Sequence, residues 1–143
     1  MIVGVPKEIK NKENRVGMVV AGVRALTQAG HKVMIQHNAG VGAGISDDDY
    51  RKAGATIIET AKEVYEKADM IVKVKEPLPE EYPLLRENQI LYTYLHLAAD
   101  ERLTKALMER KIVGIAYETI QPADGSLPLL APMSAVAGRM ATQ

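Results

Sequence analysis

Two short apolar runs each carry ionisable side chains toward their ends. In 71-IVKVKEPLP-79 they are Lys73 and Lys75, and in 90-ILYTYLHLA-98 it is His96. A lysine can hold an anion or polarise a carbonyl oxygen, and histidine exchanges protons near neutral pH. Both types are costly to bury at the end of a core strand unless something there needs them. Residue type alone does not settle the matter. A strand-end lysine snorkels to water as a matter of course, and a lone histidine after an apolar strand reads most simply as a satisfied structural residue. Strand alternation puts Lys73 and Lys75 on the same face, so it does not choose between them.

The surrounding elements give the two runs a common destination. Residues 2-IVGVP-6 form a strand stopped by Pro6; 19-VVAGVRALTQAG-30 has helical spacing and ends on Gly30; 31-HKVMIQ-36 is a strand. Ser46 and the acidic 47-DDD-49 open a helix that Gly54 ends, followed by a short strand over 55–59 and a helix over 61–68. Then come a strand over 70–74, a short helix or turn over 79–88, a strand over 90–95, a helix over 99–111 and a strand over 112–118. After a loop over 121–132, a last helix is predicted to begin at Ser134. Apolar strands separated by helices predict an α/β protein of three layers, a mostly parallel sheet with helices on both faces, Rossmann-like or flavodoxin-like. In such sheets ligands collect beyond the carboxyl ends of the strands, where Lys75 and His96 both sit. Tyr94, Glu118 and Met133 fall at equivalent loop positions. Glu118 is open to two roles, bonding a catalytic cation or capping a strand.

The composition bounds the partners. The chain has 143 residues, 47% apolar and 25% charged, with 18 basic and 18 acidic side chains, enough for one core and no global field toward nucleic acid. No run is long enough to span a membrane, and MIVGVPKEIK does not read as a signal peptide, so a cytoplasmic protein is expected. With no Cys there is no thiolate metal site and no Cys nucleophile, and no metal site is assigned; with no Phe or Trp an aromatic platform for single strands is not expected. His31 and His37 read as exposed histidines flanking a strand.

The loop 40-GVGAG-44 invites a nucleotide, because it follows a strand and precedes a helix, with Glu59 beyond. Its third glycine comes one residue too early for the dinucleotide fingerprint, and 47-DDD-49 places negative charge where a phosphate would sit. A plain βα connection is the better reading.

Four phrases together, 4-GVPKEIKNKENRV-16, 71-IVKVKEPLPEEY-82, 91-LYTYLHLAAD-100 and 128-PLLAPMSAVAGRMA-141, resemble the N-terminal part of the alanine dehydrogenase family, which includes the nicotinamide nucleotide transhydrogenase α subunit. Lys75 and His96 favour the alanine dehydrogenase branch, because transhydrogenase has no keto acid to bind. The resemblance implies NAD-dependent interconversion of L-alanine with pyruvate and ammonia. It makes Arg15 the carboxylate-binding arginine, suited by its planar fork, although by type alone Arg15 is a solvated loop residue. It makes Lys75, rather than Lys73, the contact to the substrate's carboxylate and carbonyl oxygens, and His96 the acid/base that exchanges a proton with the carbinolamine hydroxyl. Tyr94 and Met133 become pocket wall, and Ser134 a contact to NAD phosphates at a helix N-terminus.

The resemblance also implies that the main NAD-binding domain is not part of this sequence, and that a later part of the family's chain returns to complete the first domain. Residues 1–133 then form the N-terminal part of a substrate domain, and 134–143 begin a linker helix. A truncated substrate half, inactive alone and homo-oligomeric, is the expectation. The alternatives are a non-catalytic self-associating α/β domain and a transhydrogenase-like nucleotide domain. No nucleic-acid or membrane partner is expected.

Overall fold

A computed structural model of the protein describes residues 1–141. Its sheet has six strands: β1 (Ile2–Val5), β2 (Lys32–Gln36), β3 (Thr56–Ile58), β4 (Met70–Val72), β5 (Ile90–Thr93) and β6 (Val113–Ala116). Their order is β3-β2-β1-β4-β5-β6, and all five pairings are parallel. This is the Rossmann order and not the flavodoxin order, so the order of strand addition reverses between β1 and β4.

The helices are α1 (Val20–Gln28), α2 (Asp47–Lys52), α3 (Ala61–Lys67), α4 (Glu101–Glu109) and α5 (Ala131–Met140). Alternation within the strands builds two cores. Val3, Val5, Val33 and Ile35 point to one face, where they meet Val23 of α1 and Tyr50 of α2. Met34, Ile71 and Leu91 point to the other, against Val64 and Tyr65 of α3 and Leu103 and Leu107 of α4. Helices therefore cover both faces, as the three-layer reading expects. The α1 side of β4, β5 and β6 is the exception: Tyr92 is half-buried there, and Val113 and Ile115 on β6 are exposed. A groove of about 510 Å³ lies along it, lined by Val72, Tyr92, Tyr117 and Leu129. No described helix is long and apolar enough to cross a membrane.

Local signals account for most boundaries. Ser46 caps α2 with a complete capping box, its side chain accepting from the Asp49 amide while Asp49 accepts from the Ser46 amide. Asp100 caps α4 by accepting from the Arg102 and Leu103 amides at 2.9 and 3.0 Å. The last helix departs from expectation. It begins at Ala131, with Leu130 as N-cap and Pro132 in its first turn, three residues before Ser134. Pro132 has no N–H to lose and a φ already suited to helix, so the helix starts around it and not after it. Thr142 and Gln143, the end of the expected 134–143 segment, lie outside the described residues.

The loop 40–44 is a single 3-10 turn, Val41–Ala43. A Cβ on Gly40 would stand 2.7 Å from the Tyr50 ring and 2.8 Å from the Ile45 carbonyl oxygen. Its glycine serves packing against α2, in keeping with the plain βα connection.

Candidate functional site

The site grows from three loops at the carboxyl ends of β1, β4 and β5. The first, residues 6–19, replaces the tight turn that a nucleotide-binding sheet would have after β1. It is pinned to the end of β4 at three points. Glu8 accepts a hydrogen bond from the Val74 amide at 2.7 Å. Lys10 pairs with Glu76. At Gly17 the loop passes so close that a Cβ would stand 2.6 Å from the Val72 carbonyl oxygen. Between these pins the loop delivers Arg15.

The strand carrying the two lysines separates them. Regular β4 ends at Val72, and the ladder to β5 continues through the Lys73 amide to the Tyr92 oxygen and the Tyr94 amide to the Val74 oxygen. Lys73 is 1% exposed, with its ammonium 2.6 Å from Glu81 and 3.7 Å from Glu8. The Tyr65 hydroxyl donates to the same Glu81 oxygen at 2.9 Å. Burial raises the Glu8 carboxyl, against the Lys73 charge, which lowers it; one Glu8 oxygen has no hydrogen-bond partner. Lys73 is a structural cation, and Lys75, half-buried two residues on, is the lysine that faces a cavity.

Beyond β5 the backbone turns sharply at His96, which has φ 50° and ψ 39° in the left-handed region. Glu118, after β6, holds this turn. Its carboxylate accepts from the His96 amide at 2.6 Å and from the Leu95 amide at 3.3 Å. Of its two open roles, capping the strand end is the one the geometry fills. Tyr117 stands edge-on to Tyr92 and Tyr94, with ring centroids 4.3 and 4.9 Å apart. The Tyr94 hydroxyl donates to the Leu129 carbonyl at 2.5 Å, so the hydroxyl is engaged by the protein.

Arg15, Lys75, Tyr94, His96 and Met133 line a single cavity of about 200 Å³, together with Glu76, Glu118 and Leu130. The lining thus combines two cations, an imidazole, an aromatic ring and two apolar side chains with two carboxylates, one paired with Lys10 and the other with backbone amides. Such a mixture of charged and apolar groups is of the kind that orients a small polar ligand. Ser134 does not line it. Its amide donates to the Leu130 oxygen at 3.1 Å inside α5, so it presents no free helix-terminal N–H. The residues that sequence reasoning passed over are Glu76, Leu130 and Glu13. Glu13 grips Arg15 with both carboxylate oxygens, and an acidic residue two places before a loop arginine was its available signal.

The sheet order would put a dinucleotide in the crevice between β1 and β4. Here that crevice receives Glu8 after β1 and Lys73 after β4, locked together with Glu81. The described residues therefore do not fit NAD in the fold's usual place. His37 and Asn38, beside the glycine turn, are both bonded to Asp47.

Residues 4–137 match the model of a family described as "Alanine dehydrogenase/PNT, N-terminal domain". The whole chain is 62% identical to an alanine dehydrogenase of Methanococcus maripaludis and 54% identical to one of Staphylococcus epidermidis, covering 38% of each. Among solved structures it superposes on an L-alanine dehydrogenase with TM-score 0.93 and 54% identity, over 98% of this chain and 38% of that one. A transhydrogenase from Sinorhizobium meliloti matches with TM-score 0.79 and 28% identity, over 86% of this chain and 36% of that one. The chain thus spans about two fifths of the length of the relatives it matches.

Proposed function

Because the chain belongs to the alanine dehydrogenase/PNT N-terminal domain family, we propose that it is the substrate-binding part of an NAD-dependent L-alanine dehydrogenase. The whole protein interconverts L-alanine, NAD and water with pyruvate, ammonia and NADH. Residues 1–133 form the substrate domain, and the segment from 134 leads toward the NAD domain. The observation that carries this reading is the meeting of Arg15, Lys75 and His96 in one small cavity.

In that cavity the Arg15 guanidinium binds the substrate carboxylate. The Lys75 ammonium contacts the carboxylate and the carbonyl oxygen, drawing electron density from the carbon that is attacked. The His96 imidazole gives or takes the proton of the carbinolamine hydroxyl as water adds or leaves. Tyr94 and Met133 form the wall of this cavity of about 200 Å³. Toward an NAD site the described residues offer the hydroxyl of Ser134, an exposed residue on α5, as a contact at the edge of the dinucleotide. The protein acts in the cytoplasm as a homo-oligomer, and a later part of the family's longer chain covers the apolar groove beside β4–β6.

Titration of the full chain with pyruvate, followed by NMR, tests the reading. Shifts centred on Lys75 and His96 are expected, lost in Arg15→Ala. An unperturbed spectrum at millimolar pyruvate would favour the non-catalytic, self-associating domain. The transhydrogenase-like alternative predicts NAD binding by the 40–44 loop instead, which the packing of Gly40 against Tyr50 and Ile45 opposes.

A further inference from the structure

A guanidinium has two edges that can each grip a carboxylate with two parallel hydrogen bonds, the side made by Nε and one terminal nitrogen, and the end made by both terminal nitrogens. In this structure the side edge of Arg15 is already taken. Glu13 accepts from Arg15 Nε at 2.8 Å through Oε1 and from the second terminal nitrogen at 2.6 Å through Oε2. The same Oε1 also accepts from the Arg15 backbone amide at 2.9 Å. The first terminal nitrogen is directed elsewhere, donating toward the Met133 sulfur at 3.6 Å, and Met133 is part of the cavity wall. The Glu13 side chain is 8% exposed while that of Arg15 is 43% exposed. The acid is the seated partner, and the arginine is the one that reaches out.

We propose that Glu13 is a positioning residue, which occupies the side edge of Arg15 so that its end edge is presented to the carboxylate of the keto acid. The proposal rests on the reading of Arg15 as the carboxylate binder. Arginine has a long, rotamer-rich side chain, and an exposed one must be ordered when it binds. Two side-chain bonds and one backbone bond to a single carboxylate do that ordering before the substrate arrives, so the anion meets a fork already aimed. The Arg15 contacts hold the Glu13 carboxyl at about 2, against an ordinary value of 4.5, so it stays ionised wherever the substrate is an anion. Held side-on, Arg15 also keeps its charge at one place in the cavity and leaves Lys75 free for the carbonyl oxygen. Sequence alone does not separate this role from that of a competitor, a carboxylate that the substrate would have to displace. The occupied edge makes the distinction, because the end facing Met133 is not the one Glu13 holds.

The test compares pyruvate with methyl pyruvate, which keeps the ketone and lacks the anionic carboxylate, in titrations of the full chain read by NMR at Lys75 and His96. In Glu13→Gln, pyruvate affinity is expected to fall roughly 3- to 10-fold, the cost of ordering one long side chain on binding, while methyl pyruvate affinity stays the same. Glu13→Asp, which keeps the charge on a shorter arm, should fall between. An equal loss for both ligands would mean a merely structural role and overturns the proposal. So does pyruvate affinity that is unchanged, or that rises because a competitor has gone. Failure of the unsubstituted chain to bind pyruvate would overturn the reading of the cavity itself.

Discussion

His96 sits in a backbone conformation that most side chains avoid, and histidine is among the few types that tolerate it. The strain is local and is held by Glu118, whose carboxylate bridges two consecutive amides at the turn. Such strain at a proposed acid/base residue sets up a contrast between two truncations. His96→Gly and His96→Ala both remove the imidazole, but only glycine enters the left-handed region without Cβ conflict. In urea denaturation the glycine variant is expected to be more stable than the alanine variant by about 1 kcal/mol. Equal midpoints would mean that the turn relaxes out of the left-handed region. At this scale the sequence was informative about what could do chemistry and much less about what holds it. Lys75, His96 and Arg15 were visible from type and phrase. Glu118 was visible as a candidate strand cap, but its choice between that and a cation was open, since it depends on how loops distant in sequence meet; Glu13 was passed over.

The elements were legible where a local cap announced them, as with Ser46; Asp100, read as lying inside a helix over 99–111, turns out to be the N-cap of α4. They were misplaced where the signal was ambiguous. The last helix was expected to begin at Ser134, yet Leu130 and Pro132 begin α5 one turn earlier. The loop after β1 was the least legible element, although it carries Arg15, because close approach between backbones leaves no periodicity to read. Gly17 marks that approach. Replacing it with alanine sets a Cβ against the Val72 carbonyl, which belongs to a paired strand and has little room to give. Gly17→Ala is expected to cost about 1–3 kcal/mol of stability and, by lifting the loop, to weaken pyruvate binding as well. Thermal unfolding and titration of the same variant would separate the two effects. An alanine variant with wild-type melting and binding would show that the loop shifts freely over β4.

The whole molecule has a sheet order that suits a nucleotide and a crevice that is closed to one. Lys73, between Glu8 and Glu81, is the centre of that closure, and removing it leaves two carboxylates in a buried site. Lys73→Ala is expected to destabilise the fold by about 3–5 kcal/mol. The loss should depend on pH with a definite sign. Burial already raises the Glu8 carboxyl above its ordinary 4.5, so the folded state binds that proton more tightly than the unfolded chain does. Without Lys73 the main opposing influence is gone, and folding loses stability as pH rises through the raised value. Denaturant midpoints at pH 5 and pH 8 would show the deficit smaller at pH 5, and a deficit independent of pH would contradict this account. Parallel order and helix placement were legible from the alternation of strands and helices. The filling of the crevice was not, because Lys73 and Lys75 share a strand pattern and only tertiary contacts tell them apart. The Arg15–Met133 contact closes a span of 118 positions. Strands β1 to β3 lie within the first 58 residues and can pair while the chain is still emerging, but the cavity exists only once α5 has been made and docked. In time, then, the pocket is among the last things this chain acquires. A keto acid that binds there would retard unfolding of the finished domain without hastening its first steps.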